Sequence, residues 1–224
     1  MTLDTIEIRA SLRRLLLIEN FPLQPTSWRL DFGEMKPANP AETPVKGAQV
    51  WPLSVAAYHT LGEAGLIPKS TELLYGVVYK KMSKSPLHSA LVRRLLKLLR
   101  SIPLPGRFVT SELPITCENS EPEPDIAIVA GTEDDFWQDH PTSAELVIEV
   151  CITSYQYDES KLRAYARAGV KECWLVLGAE KTIEVLRKPS NGQFTERKTS
   201  GHGGTLSCEA VPEFTVQLDK LFAR

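Results

Sequence analysis

The sequence has no Lys or Arg between Arg107 and Lys161, although 13 of its 28 acids lie in that interval, from Glu112 to Glu159. The rest of the chain holds all 26 bases against the other 15 acids, a surplus of 11. The net charge of −2 argues against a globally basic nucleic-acid binder. The uneven distribution has two readings: solvated acidic loops, or a cation site set apart from a basic surface that meets an anion. No CxxC pair occurs. Cys117, Cys151, Cys173 and Cys208 are 34, 22 and 35 residues apart, a spacing that speaks against zinc and for buried, reduced thiols. No apolar run approaches the roughly 18 residues that cross a bilayer. The opening "MTLDTIEIRA" carries acids and lacks a basic-then-apolar leader pattern. These absences point to a cytoplasmic protein with no membrane partner. No internal repeat is found. What remains is an ordinary globular composition, 42% apolar and 24% charged, on 224 residues, enough for one large domain with a real core.

Residues 1–50 read as an extension. A helical pattern in "TIEIRASLRRLLLIENF" gives way to prolines at 22, 25, 37, 40 and 44, which preclude long regular structure. Regular patterning covers residues 51–224. "SVAAYHTLGEAG" predicts a helix capped by Ser54 and stopped by Gly65. "TELLYGVVYKKM" predicts two extended pieces around Gly76. Ser85-Pro86 opens a strong helix, because serine caps and proline suits the first turn. Its apolar stripe is Leu91, Val92, Leu95, Leu98 and Leu99, and its other face shows Arg93, Arg94, Lys97 and Arg100. "RFVTSELPIT", "DIAIVA" and "ELVIEV" read as strands. "DESKLRAYARAG" reads as a helix capped by Asp158, ended by Gly169, with Leu162, Tyr165 and Ala166 on one face. "ECWLVLG", "TIEVLRK" and a last strand near "FTVQL" follow. This order describes a single α/β or α+β domain, a mixed sheet flanked by helices.

Two carboxylates stand out. In "ELVIEV" the alternation of side chains puts Val147, Glu149 and Cys151 on one face and Leu146, Ile148 and Val150 on the other. Both faces are apolar, as in a central strand covered on both sides. An ionised carboxylate there costs several kcal/mol unless it is paired or metal-bound. Glu149 therefore has a Lys or Arg partner, lies where its strand meets solvent, or holds a cation. Asp125 follows Pro122 and Pro124 and is either a turn acid or a second ligand. Side by side on neighbouring strands, the two acids need a cation between them. Oxygen donors without His or Cys clusters point to Mg²⁺ or Mn²⁺. Lys161 is either a solvated helix lysine or one that reaches back over the Glu149 strand. His88 falls on the buried stripe of its helix, as a core histidine or as a support to the site.

The stretch from Pro124 to Val176 resembles the Uma2 family, also called DUF820 and abundant in cyanobacteria. The resemblance rests on "PDIAIV", "ELVIEV", and Asp158 and Lys161 in "YDESKLRAYARAGVKECWLV". Upstream, "GEAGLIPKSTELLYG" and "SPLH" are also similar, so that it covers about residues 52 to 222. It implies the restriction endonuclease-like fold of the PD-(D/E)XK nucleases. Asp125 then matches the Asp of the "PD" element, Glu149 the (D/E), and Glu72 an early family acid. All three are expected metal ligands. Tyr75 and Val77 depart from the acids usual near Glu72. Cys151 stands where the X-K lysine belongs, and Lys161 on the following helix is the candidate for that role. The implied function is metal-dependent DNA endonuclease activity, with Asp125, Glu149, Lys161 and Glu72 catalytic and Mg²⁺ or Mn²⁺ as cofactor. Arg93, Arg94, Lys97, Lys80, Lys81 and Lys84 are either phosphate contacts or solvated. Cutting two strands suits a homodimer, though nothing in the sequence demands one. The alternative is a catalytically inactive nuclease-fold protein that binds nucleic acid or serves as an assembly module, a reading the missing X-K lysine keeps open.

Overall fold

The computed structural model describes residues 51–223. The helix and the proline-rich segment expected before residue 50 lie outside the described residues.

Helix α1 (Val55–Glu63) begins where Ser54 Oγ accepts a hydrogen bond from Ala57 N, and Gly65 past its end takes φ +69°. Strands β1 (Thr71–Leu74) and β2 (Val77–Lys80) form an antiparallel hairpin. Tyr75 and Gly76 at its turn have φ of +53° and +77°, the left-handed pair that a tight two-residue hairpin needs. Helix α2 (Pro86–Leu99) is capped by Ser85 Oγ, which accepts from His88 N, with Pro86 in the first turn.

The main sheet has six strands in sequence order: β3 (Arg107–Thr110), β4 (Ile126–Ala130), β5 (Leu146–Cys151), β6 (Glu172–Leu177), β7 (Thr182–Ser190) and β8 (Gln193–Ser200). All neighbours are antiparallel except β5 and β6, which are parallel and joined by helix α3 (Tyr155–Arg167). A parallel pair requires such a crossover. Strands β9 (Thr205–Ser207) and β10 (Thr215–Gln217) pair separately and lead into the short helix α4 (Leu218–Phe222). The expected mixed α+β architecture is present.

The alternation of β5 divides the core in two. Leu146, Ile148 and Val150 pack with Leu91, Leu95 and Leu99 of α2 and with Phe214 and Leu218. Val147 and Cys151 pack with Leu162 and Tyr165 of α3. Helices thus cover both faces, and β5 is buried at every position.

Four local expectations are corrected. The strand starting at Arg107 ends at Thr110, because Ser111 turns to donate to Asp125 O and Glu112 adopts φ +57°. Leu98 is 37% exposed, and His88 sits in the buried stripe instead. At 3.6 residues per turn Leu98 lies about 80° from the stripe centre set by His88, Leu95 and Leu99. Helix α3 starts three residues before Asp158, which therefore does not cap it. Strand β8 escaped the sequence reading: its side chains are mostly polar and exposed, as befits an edge. Its signal was Asn191-Gly192, both at positive φ, closing the β7–β8 hairpin. The four cysteines are free and buried, as expected.

Candidate active site

Strand register puts the two leading acids together. Ile126 pairs with Ile148 in the antiparallel β4–β5 ladder, so the next step sets Asp125 opposite Glu149. Each carboxylate accepts a backbone N–H from the other's strand or its immediate start. Asp125 N–H donates to Glu149 Oε2 at 3.4 Å, and Val150 N–H donates to Asp125 Oδ2 at 2.8 Å. Pro124 has no N–H and helps end the ladder here.

Both flanking helices present side chains at this point. From α2, His88 Nε2 lies 3.0 Å from Asp125 Oδ2. From the segment before α2, Lys84 Nζ lies 3.2 Å from Asp125 Oδ1 and 2.8 Å from Glu112. From α3, Lys161 Nζ lies 3.3 Å from Glu149, 3.3 Å from Glu72 and 3.5 Å from Asp158, with the Tyr157 ring 5.0 Å away. Tyr165 OH donates to Glu149 Oε1 at 2.6 Å. Glu72, on β1, also accepts from Tyr157 OH at 2.6 Å and from Glu123 N–H at 3.1 Å.

The cleft holding these groups measures about 390 Å³. Six carboxylates line it (Glu72, Glu112, Glu123, Asp125, Glu149 and Asp158) against Lys81, Lys84, Lys161 and His88. Glu72, Asp125, Glu149, Asp158 and Lys161 are all buried. Burial in low dielectric, modified by the neighbouring charges and hydrogen bonds, explains the titration behaviour. Burial, with the Asp158 and Asp125 charges, pushes Glu149 up to about 8 despite Lys161 and Tyr165. Burial also drives Asp158 up. Burial pulls against the Lys161 ammonium, but Glu149, Glu72 and Asp158 outweigh it and hold the pKa well above the usual lysine value. Asp125 goes the other way: burial raises it, yet His88, the Val150 N–H and Lys84 keep it below the ordinary value. A surplus of buried carboxylates is what a hard cation complements.

Among the described residues, no three His, Cys, Asp or Glu side chains are arranged as a ready-made metal cage. Mg²⁺ does not require one, since it is commonly held by one or two carboxylates, water and substrate phosphate. Asp125 and Glu149 fit that smaller role, and their all-oxygen donor set suits a hard ion. Glu72 sits on Lys161 and Tyr157.

The fold therefore brings Asp125, Glu149, Glu72 and Lys161 into one cleft. It also resolves one residue that the sequence left between two roles and adds others that sequence reasoning left aside. His88 supports Asp125 directly. Asp158, read as a cap, points inward and accepts from Ser154 Oγ. Tyr165 carries no sequence signal beyond its place on an apolar helix face, and Tyr157, just before the expected helix, carries none. Of the basic candidates, Lys81 pairs with Glu123 and Lys84 with Glu112 and Asp125 at the rim. Arg94 instead donates to the carbonyls of Leu221 and Ala223, while Lys80, Arg93 and Lys97 are exposed.

The Uma2 family model, described as "Putative restriction endonuclease", matches residues 65–219. The chain belongs to the Uma2 family. Its structure is similar to that of "a putative nuclease belonging to DUF820" from Anabaena variabilis. The TM-score is 0.63 at 18% identity, covering 73% of this chain and 97% of that one. At that identity the likeness shows the fold, a nuclease-like arrangement of mixed sheet and helices. No curated protein matches the chain. Among the described residues, no helix is long and apolar enough to cross a membrane.

Proposed function

We propose that this Uma2 protein is a metal-dependent endonuclease that hydrolyses phosphodiester bonds in DNA, with Asp125 and Glu149 holding Mg²⁺ or Mn²⁺. One observation carries the reading. Lys161 reaches from α3 to within 3.3 Å of Glu149, delivering an ammonium to the acid pair from a different element than the usual strand position, where this chain has Cys151. A divalent cation bound there supplies Lewis-acid polarisation of the phosphate and a lowered pKa for water.

The chain's own residues divide the remaining work. Asp125, kept ionised by His88 and the Val150 N–H, is the permanent anion of the pair. Glu149, held by Tyr165 and Lys161, is the second carboxylate that would hold the cation beside Asp125. Lys161 faces the cleft as a fixed positive charge for the developing phosphorane, a role usually worth two to three decades in rate. Glu72 and Tyr157 hold that ammonium in place, so Glu72 serves the site through Lys161. Lys80, Arg93 and Lys97, outside the acidic cleft, are the candidate contacts to the DNA backbone.

Supercoiled plasmid incubated with Mg²⁺ or Mn²⁺, with and without EDTA, tests the reading. Cleavage should need the metal and vanish in Asp125→Asn. A folded protein that binds DNA but never cuts it with either ion would overturn the proposal in favour of a binding or assembly module.

A further inference from the structure

Lys84 differs from the other basic residues of the cleft. Lys161 is buried and pinned by three carboxylates, and His88 is buried in the first turn of α2. Lys84 lies at the rim, with its side chain 38% exposed, in the segment just before the Ser85 cap. Its Nζ bridges Asp125 Oδ1 at 3.2 Å and Glu112 Oε1 at 2.8 Å.

The two oxygens of Asp125 are therefore treated differently. Oδ2 is held by fixed donors, His88 and the Val150 N–H. Among the described residues, Oδ1 has Lys84 as its polar partner. That oxygen must be free if a cation is to be shared with Glu149. Lys84 also has a second seat. Glu112 is half exposed, yet its backbone takes φ +57°, which residues with a Cβ seldom adopt, and is tied down by Glu112 N–H donating to Pro124 O at 3.1 Å. Leaving Asp125 costs Lys84 one partner while the other stays within reach.

We infer that Lys84 is a displaceable counter-ion: it neutralises Asp125 in the metal-free protein, competes with the divalent cation for Oδ1, and retires to Glu112 when the cation binds. The inference rests on the metal site proposed above. It concerns occupancy of that site, not the chemical step. Because the lysine end of the pair lies at the solvent-exposed rim and keeps Glu112 as a partner, displacing it from the buried Asp125 has a modest effect on affinity.

Mn²⁺ binding by the whole chain, measured by calorimetry and by loss of the free Mn²⁺ electron paramagnetic resonance signal, tests it. Lys84→Met should bind Mn²⁺ about three- to fivefold tighter than wild type. Lys81→Met also removes a rim cation but breaks a pair with Glu123 instead, so it reports general electrostatics and should change affinity less. Glu112→Gln removes the second seat and should weaken binding. That weakening should largely disappear when combined with Lys84→Met, whereas a purely long-range charge effect would persist. Lys84→Gln serves if the methionine variant folds poorly. Equal gains in Lys81→Met and Lys84→Met, or no gain in either, would overturn the inference while leaving the metal site standing. Binding in Lys84→Met but not in wild type would support it most strongly. Absence of Mn²⁺ binding in every form would remove the metal site and this inference with it.

Discussion

Replacing Lys161 by alanine tests both the stability and the chemistry of the cleft. The structure makes this a harsher change than a mid-helix lysine suggests. The ammonium is buried and lies within 3.5 Å of Glu72, Glu149 and Asp158. Its removal leaves three buried carboxylates without their shared cation. Breaking a buried ion pair from one side costs about 3–5 kcal/mol, a large part of the roughly 5–15 kcal/mol that stabilises a typical domain. The carboxylates have one escape, which is to bind a proton. Glu149, already raised to about 8, takes it most readily. The loss in Lys161→Ala should therefore be larger at pH 8.5 than at pH 6. Urea denaturation at both pH values, without divalent ions, measures it. Plasmid cleavage in Mn²⁺, under conditions where the variant is folded, should fall at least about a hundredfold. A variant as stable as wild type at pH 8.5 would refute the counter-charge argument. One that cleaves at the wild-type rate would remove Lys161 from the mechanism.

Other outcomes follow from the same geometry. Glu149 binds its proton more tightly folded than unfolded, so metal-free protein should lose stability as pH rises from about 4.5 to about 8, by up to about 1.4 kcal/mol per pH unit; saturating Mg²⁺ should flatten that slope in denaturation curves, and an unchanged slope would count against cation binding at Glu149. Tyr165→Phe removes the hydroxyl donor to Glu149 and should cost about 1–3 kcal/mol in denaturant melts. Far from the cleft, Glu172 accepts from Trp174, Arg187 and the N–H groups of Glu209 and Ala210. Glu172→Ala should cost about 3–5 kcal/mol yet leave Mn²⁺ affinity of the folded protein unchanged in calorimetry.

The sequence by itself determined much of the local structure. Ser54 and Ser85 cap their helices because a serine before an apolar-periodic run satisfies orphan N–H groups wherever that run packs. The alternation in "ELVIEV" assigned Val147, Glu149 and Cys151 to one face, and the two core layers observe that division. A carboxylate in an apolar strand marks its own site, since its burial cost does not depend on knowing its partner. The tertiary structure alone decided which partners answer it. Glu72 and Lys161 are 89 positions apart in sequence, and no periodicity reports their 3.3 Å contact. Convergence of the β1–β2 hairpin, α2 and α3 on the Asp125–Glu149 end of the sheet brings these groups together. Asp158 shows the limit most plainly. An aspartate near a helix start reads as a cap, but α3 begins earlier, so its carboxylate turns into the cleft. The same convergence put Lys84 and His88 on the two oxygens of Asp125. Local preferences specify faces and ends, whereas the meeting of charges is fixed by how the faces pack.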